Sequence, residues 1–132
     1  MNVLEPMIKT VPAVPDSVTQ VRQAVTEFAR RAGASGALLE DMRLAVTEAV
    51  ANVVVHAYID EAEPGLVRVE ATLGDAEIEV VVGDRGRGMM PRVDSPGLGL
   101  GLPLIAQCAT SVDTRSTGDG GTELRMSFRL DR

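Results

Sequence analysis

The stretch that decides the fold is "EAVANVVVHAY", Glu48 to Tyr58. Ala and Val fill most of it, as in a helix packed against a core. Yet Glu48, Asn52 and His56 recur at every fourth position. Residues four apart stand one above the other on a helix, so the three form a polar line beside an apolar stripe. A carboxylate and an amide on one face suit two jobs. The carboxylate accepts a proton or orients a nucleophile. The amide oxygen is a hard neutral ligand of the kind Mg2+ takes alongside phosphates and water. The same line also fits the solvent-facing side of an amphipathic helix, and this stretch alone leaves both readings open. His56 reads as a helix-end histidine bonded to a carbonyl.

Outward from that helix the chain alternates between two periodicities. Upstream, Ser35 is a candidate N-cap, and Leu38, Leu39, Met42, Val46, Ala49, Val50 and Val53 share one face, so the helix is expected from there to about Tyr58. An earlier helix starts at Pro15 and Asp16 and ends at Gly33, with Val18, Val21, Val25, Phe28 and Ala29 on one side. Before it, Ile8 to Val14 reads as an edge strand because of Pro12. Downstream, Pro64-Gly65 turns the chain and "LVRVEATL" alternates with period two. Gly74-Asp75 signals a hairpin into "AEIEVVVGD", ending at Asp84. A Gly-, Pro- and Arg-rich loop over 85–96 follows, then "GLGLGLPLIAQCAT", a glycine-rich entry into a third helix with Pro103 in its first turn. The chain closes on a hairpin with Gly118 to Gly121 at the turn. This order predicts an α+β fold of two layers: a mixed, mostly antiparallel sheet with helices packed on one face.

Composition narrows the function classes. The 132 residues are expected to form one domain, 1–132, and 45% hydrophobic residues suffice for a core. Aromatics are 2% with no Trp, and the formal charge is −6. Base-stacking modules need aromatic faces and phosphate-backbone binders need basic ones, so no direct nucleic-acid partner is expected. Cys108 is the only cysteine, which fits a reduced, cytoplasmic setting. No signal peptide and no membrane-spanning run is read in the sequence.

Two further stretches add chemistry. "VVVGDRGRGM" sets Asp84 at a strand end before Gly86 and Gly88. A carboxylate there can accept a hydrogen bond from a ligand amine such as adenine N6, with a ring lying against the bare backbone. "PGLGLGLPLI" puts Gly97, Gly99 and Gly101 where backbone N–H groups meet a phosphate chain at a helix N-terminus. It is not a P-loop, since no Gly-Lys-Ser/Thr follows. Each motif is weak alone.

Their order is specific. The polar Glu/Asn helix, the strand ending in D-x-G-x-G, the Gly-rich helix start and "GGTELRMSF" resemble the nucleotide-binding domain of gyrase-type ATPases, Hsp90 chaperones, sensor histidine kinases and MutL-type proteins. The resemblance runs from about Val11 to Leu130. Within that superfamily the chain is most similar to the bacterial anti-sigma-factor serine/threonine kinases. It reads as a free-standing domain, its N box has the form T-E-A-V-x-N-x-x-x-H-A-Y, and its lid, Met89 to Pro96, is short.

The resemblance implies ATP and Mg2+ as cofactors, with Asn52 ligating the metal and Glu48 acting as general base on a substrate serine or threonine. Asp84 would bond the adenine amine, supported by Thr122. Gly86, Gly88 and Met89 would belong to the same pocket, and Gly97, Leu98, Gly99, Leu100 and Gly101 would wrap the phosphates. Arg22 matches a partner-face arginine. Arg85 and Arg87 read as solvated loop residues, and Arg92 is a candidate phosphate contact. The implied partners are a sigma factor and a STAS-type anti-anti-sigma protein, and the implied assembly is a homodimer. Two other functions remain open at this point: a nucleotide-gated binding module without kinase activity, and the catalytic domain of a larger phosphorelay.

Overall fold

The computed structural model describes residues 4–59, 61–85, 98–118 and 120–130, with 98–101 as backbone. Strand β1 covers Met7–Pro12, helix α1 Pro15–Arg31 and helix α2 Gly36–Asn52, followed by a π-helical turn, Val53–Ala57. Strands β2 (Leu66–Leu73) and β3 (Glu77–Asp84), helix α3 (Leu98–Cys108), and strands β4 (Ser111–Ser116) and β5 (Thr122–Arg129) complete it.

The sheet order is β1-β2-β3-β5-β4, and every described pairing is antiparallel. The α+β expectation holds, and the antiparallel part of the expected sheet accounts for all pairing among the described residues. The reason lies in the last hairpin. The connection through α3 leaves a gap beside β3, and β5 folds back from β4 to fill it. β1 is an edge strand, with Pro12 as its last residue. An edge has no ladder partner on one side, so the missing N–H costs nothing there.

Alternation fixes which face is covered. Val67, Val69 and Ala71 of β2, Ile78, Val80 and Val82 of β3, and Leu124, Met126 and Phe128 of β5 are all buried on one side. Against them pack Val21, Val25, Phe28 and Ala29 of α1, Met42, Val46, Ala49 and Val50 of α2, and Ile105 and Cys108 of α3. Each fully buried side chain of this size contributes about 1.5–3 kcal/mol. The opposite face carries charge instead, including Arg125–Glu79 at 3.0 Å and Arg115–Glu123 at 3.2 Å. Exposed pairs of this kind contribute about 0–1 kcal/mol each.

Local chemistry sets the element ends. Helix α1 stops in a Schellman motif: Ala34 N–H reaches Ala29 O at 2.9 Å and Gly33 N–H reaches Arg30 O at 3.0 Å, with Gly33 at φ +103. Ser35 does occupy the N-cap position of α2, but its side chain makes no capping bond. The β2–β3 connection has three residues, and its left-handed position falls on Ala76 at φ +60. Pro103 lies deeper than expected, as the sixth residue of α3 rather than in its first turn. It therefore offers no N–H to the carbonyl of Gly99, four residues back.

Candidate functional site

Glu48 and Asn52 sit on the last turns of α2. Asn52 is buried, at 7% exposure. Its Nδ2 donates to Glu48 O at 2.9 Å and to Glu48 Oε2 at 3.2 Å. Both amide protons are thereby used, and this fixes which way the amide faces. Oδ1 points away from Glu48 and accepts no hydrogen bond among the described residues. A buried amide whose oxygen is turned outward by a neighbouring carboxylate is a fitting hard ligand for Mg2+. The expected pairing of Glu48 with Asn52 is present.

The helix changes character at Asn52. The next five residues form a π turn, whose bonds span five residues rather than four. His56 is thereby rotated off the Glu48–Asn52 line that the sequence extended to it. It is half-buried and makes no hydrogen bond among the described residues, so the expected bond to a carbonyl is not formed. The turn buries Val53 and Ala57 and leaves Val55 58% exposed.

Asp84 and Thr122 form the second cluster. They face each other across β3 and β5, and both are buried, at 8% and 4%. Their side chains lie on the helix-covered side by strand alternation. Such depth keeps water from competing for a ligand's hydrogen bonds. At this end of the sheet a hollow of about 420 Å3 is lined by Asp84, Thr122, Tyr58, Leu66, Arg85 and Thr117 together with Thr10, Arg68, Gly83 and Glu123, which lie on the face opposite the helices. Glu48 and Asn52 are not part of that lining. The chain links the two clusters through Tyr58, whose hydroxyl donates to Leu66 O at 2.6 Å and accepts from Arg85 N–H at 3.0 Å.

Gly86, Gly88, Met89 and Gly97 lie outside the described residues, as do Arg87 and Arg92. Leu98, Gly99, Leu100 and Gly101 form the first turn of α3. The N–H groups of a first turn have no intrahelical acceptor, so they remain available to an anion. Arg85 is exposed and lines the cavity. Arg22 lies on α1 beside Gln23, Arg30 and Arg43, along a second hollow of about 420 Å3 between α1 and α2.

Tyr58, Gly65 and Gly121 were not singled out as site residues by sequence reasoning. A Cβ at Gly65 would overlap the Tyr58 ring, and one at Gly121 would overlap Asp84 O. The available signals were the Tyr that ends the N box and the doubled glycine before Thr122.

Comparison with known proteins agrees with this fold. Residues 11–128 match the family model of the histidine kinase-like ATPase domain. The chain is 30% identical over 120 residues to an anti-sigma F factor of Pasteuria penetrans, covering 83% of this chain and 80% of that one. It is 33% identical over 138 residues to a serine-protein kinase RsbW of Halalkalibacterium halodurans, covering 93% and 82%. Against the RsbW of Staphylococcus epidermidis the identity is 37% over 76 residues, 58% of this chain and 48% of that relative's length. Among solved structures, a crystal structure of RsbU and RsbW domains from Mycobacterium tuberculosis superimposes with a TM-score of 0.75 at 25% identity, over 95% of this chain and 32% of that one. A histidine kinase domain from Erythrobacter litoralis shares the fold, with a TM-score of 0.60 at 20% identity, over 92% of this chain and 62% of that one. No helix among the described residues is long and apolar enough to cross a membrane.

Proposed function

The chain belongs to the histidine kinase-like ATPase domain family, and on that premise we propose that it is an ATP-dependent protein serine/threonine kinase acting as an anti-sigma factor. It binds a sigma factor and phosphorylates a STAS-type antagonist in the cytoplasm, working as a homodimer. The observation that carries the reading is the Glu48–Asn52 pair. A binding module needs the amide but not the carboxylate beside it. The names of the relatives that match over four fifths of their length support the same reading.

Each residue has one task. Asp84 accepts the adenine amine proton, with the Thr122 hydroxyl beside it. Asn52 offers Oδ1 to Mg2+, which when bound draws charge from the phosphates. The first turn of α3 presents backbone N–H groups to the phosphate chain, with Gly97 leading into it and Gly86, Gly88 and Met89 completing the adenine side. Glu48 takes the proton from a substrate hydroxyl as its oxygen bonds the γ-phosphorus and the bond to the β–γ bridging oxygen breaks, releasing ADP. In such a transfer most of the acceleration comes from positioning and charge neutralisation. The phosphate adds a charge of about −1.5 to −2 to the antagonist, enough to break a docked contact. Arg22, with Arg30, Arg43 and Glu27 along the same hollow and Arg43 paired to Glu40 at 3.2 Å, offers the partners a charged face.

The test is incubation with labelled ATP and each STAS-type protein of the source organism. Label on one serine or threonine of one such protein supports the kinase. Tight ATP-dependent binding to a partner with no label on any of them replaces the kinase with a sequestration module.

A further inference from the structure

In an antiparallel pair, hydrogen-bonded and non-hydrogen-bonded positions alternate. Gly74 N–H donates to Glu77 O at 2.8 Å, which makes that pair a bonded one. The register then runs from Leu73↔Ile78 to Val67↔Asp84. Counting by twos, Thr72 with Glu79, Glu70 with Val81, and Arg68 with Gly83 fall on bonded positions. The next bonded position is Leu66 with Arg85. There the Tyr58 hydroxyl stands in the rung. It donates to Leu66 O at 2.6 Å and accepts from Arg85 N–H at 3.0 Å. One side-chain oxygen thus replaces a backbone bond and ends the β2–β3 ladder at Asp84.

The peptide between Asp84 and Arg85 is confined on its other side as well. A Cβ at Gly121 would overlap Asp84 O, and would lie 2.8 Å from Thr117 Oγ1 and 3.3 Å from Arg85 Cα. Gly121 N–H is itself held by Thr117 Oγ1 at 3.1 Å. The Tyr58 ring has a fixed seat, since a Cβ at Gly65 would overlap it.

We infer that Tyr58, seated on Gly65, clamps the Asp84–Arg85 peptide against Gly121 and so sets the aim of the Asp84 carboxylate at the nucleotide base. Asp84 is the last residue of its strand. The Tyr58 hydroxyl holds the peptide that follows it in the place of the next β2 bond. Tyr58 is a positioning residue, acting through Asp84. It also closes the segment that carries Glu48 and Asn52, so one hydroxyl ties the base-binding cluster to the phosphate-side cluster. The inference rests on the adenine role of Asp84 proposed above.

Tyr58→Phe removes the hydroxyl and keeps the ring on Gly65. The probes are ATP and purine riboside triphosphate, which lacks the 6-amino group. Wild type prefers ATP, and Tyr58→Phe lowers that preference roughly fivefold, the worth of one hydrogen bond. The Arg85 amide exchanges faster in the variant, while the Val80 and Val82 amides keep their protection. Gly65→Ala, which unseats the ring, lowers the same ratio. A role confined to stability would weaken both nucleotides equally and leave the ratio alone. A wild-type preference kept intact in Tyr58→Phe overturns the clamp and leaves the adenine reading standing. No preference in wild type overturns the Asp84 role and the clamp together.

Discussion

Glu48→Gln separates the charge of the carboxylate from its shape. In the wild type, Glu48 Oε2 lies 3.2 Å from Asn52 Nδ2, and the Glu48 backbone oxygen takes the other proton at 2.9 Å. A glutamine in the same rotamer still offers an oxygen to Nδ2, and the backbone bond is untouched. Asn52 therefore keeps its orientation. The fold loses about 0.5–1.5 kcal/mol, the difference between a charged and a neutral acceptor. Nucleotide affinity stays within about threefold, less than 0.7 kcal/mol. The base is lost outright, because an amide takes no proton. A positioned general base accelerates its step by about 10²–10⁴-fold, or roughly 3–5 kcal/mol of barrier. Glu48→Ala loses the acceptor too, so it adds a further weakening of nucleotide binding of about 1 kcal/mol. The assay is single-turnover transfer of labelled γ-phosphate to a STAS-type protein, with calorimetric ATP titration of the same samples. Transfer within about threefold of wild type by a Glu48→Gln variant that binds ATP normally would refute the base assignment. Parallel loss of binding and transfer would refute the separation of roles.

Three other changes probe the scaffold. Ala76→Gly relieves a left-handed residue, and after the entropy cost of glycine it stabilises by about 0.5–1 kcal/mol, raising the thermal midpoint by about 2–4 °C in calorimetry. Phe128→Ala empties a site of 0% exposure in the middle of the core and costs about 3–5 kcal/mol, read from the urea midpoint. Pro103→Ala returns an N–H to the Gly99 carbonyl and stabilises α3 by about 1–3 kcal/mol, visible as added helix protection in amide exchange.

The elements were legible where a period was long enough to count. Val67, Val69 and Ala71, and the Val21-to-Ala29 face of α1, declared strand and helix by side-chain spacing alone. The sheet order was not legible, because β3, β4 and β5 carry similar alternation and nothing local says that β5 fills the gap beside β3. The π turn was hidden for a related reason. Val53, Val54 and Val55 are alike, so no polar marker records a change of winding. The hairpin signal at Gly74-Asp75 was right in place, yet the strained position is Ala76, since a three-residue loop puts its left-handed residue last. Within the site, the Glu48–Asn52 bond follows from four-residue spacing. The Asp84–Thr122 pair and the Tyr58 rung are long-range and depend on strand register, which a single sequence does not reveal.

The adenine pocket is the premise on which the kinase, the metal ligand and the clamp all stand. Calorimetric titration with ATP in Mg2+, on wild type and on Asp84→Asn of equal thermal stability, tests it most directly. Wild type is expected to bind in the micromolar range and the variant much more weakly, because one of the two carboxylate oxygens becomes an amide donor and the remaining acceptor is neutral. Equal binding by both proteins, or none by a folded wild type, would contradict it.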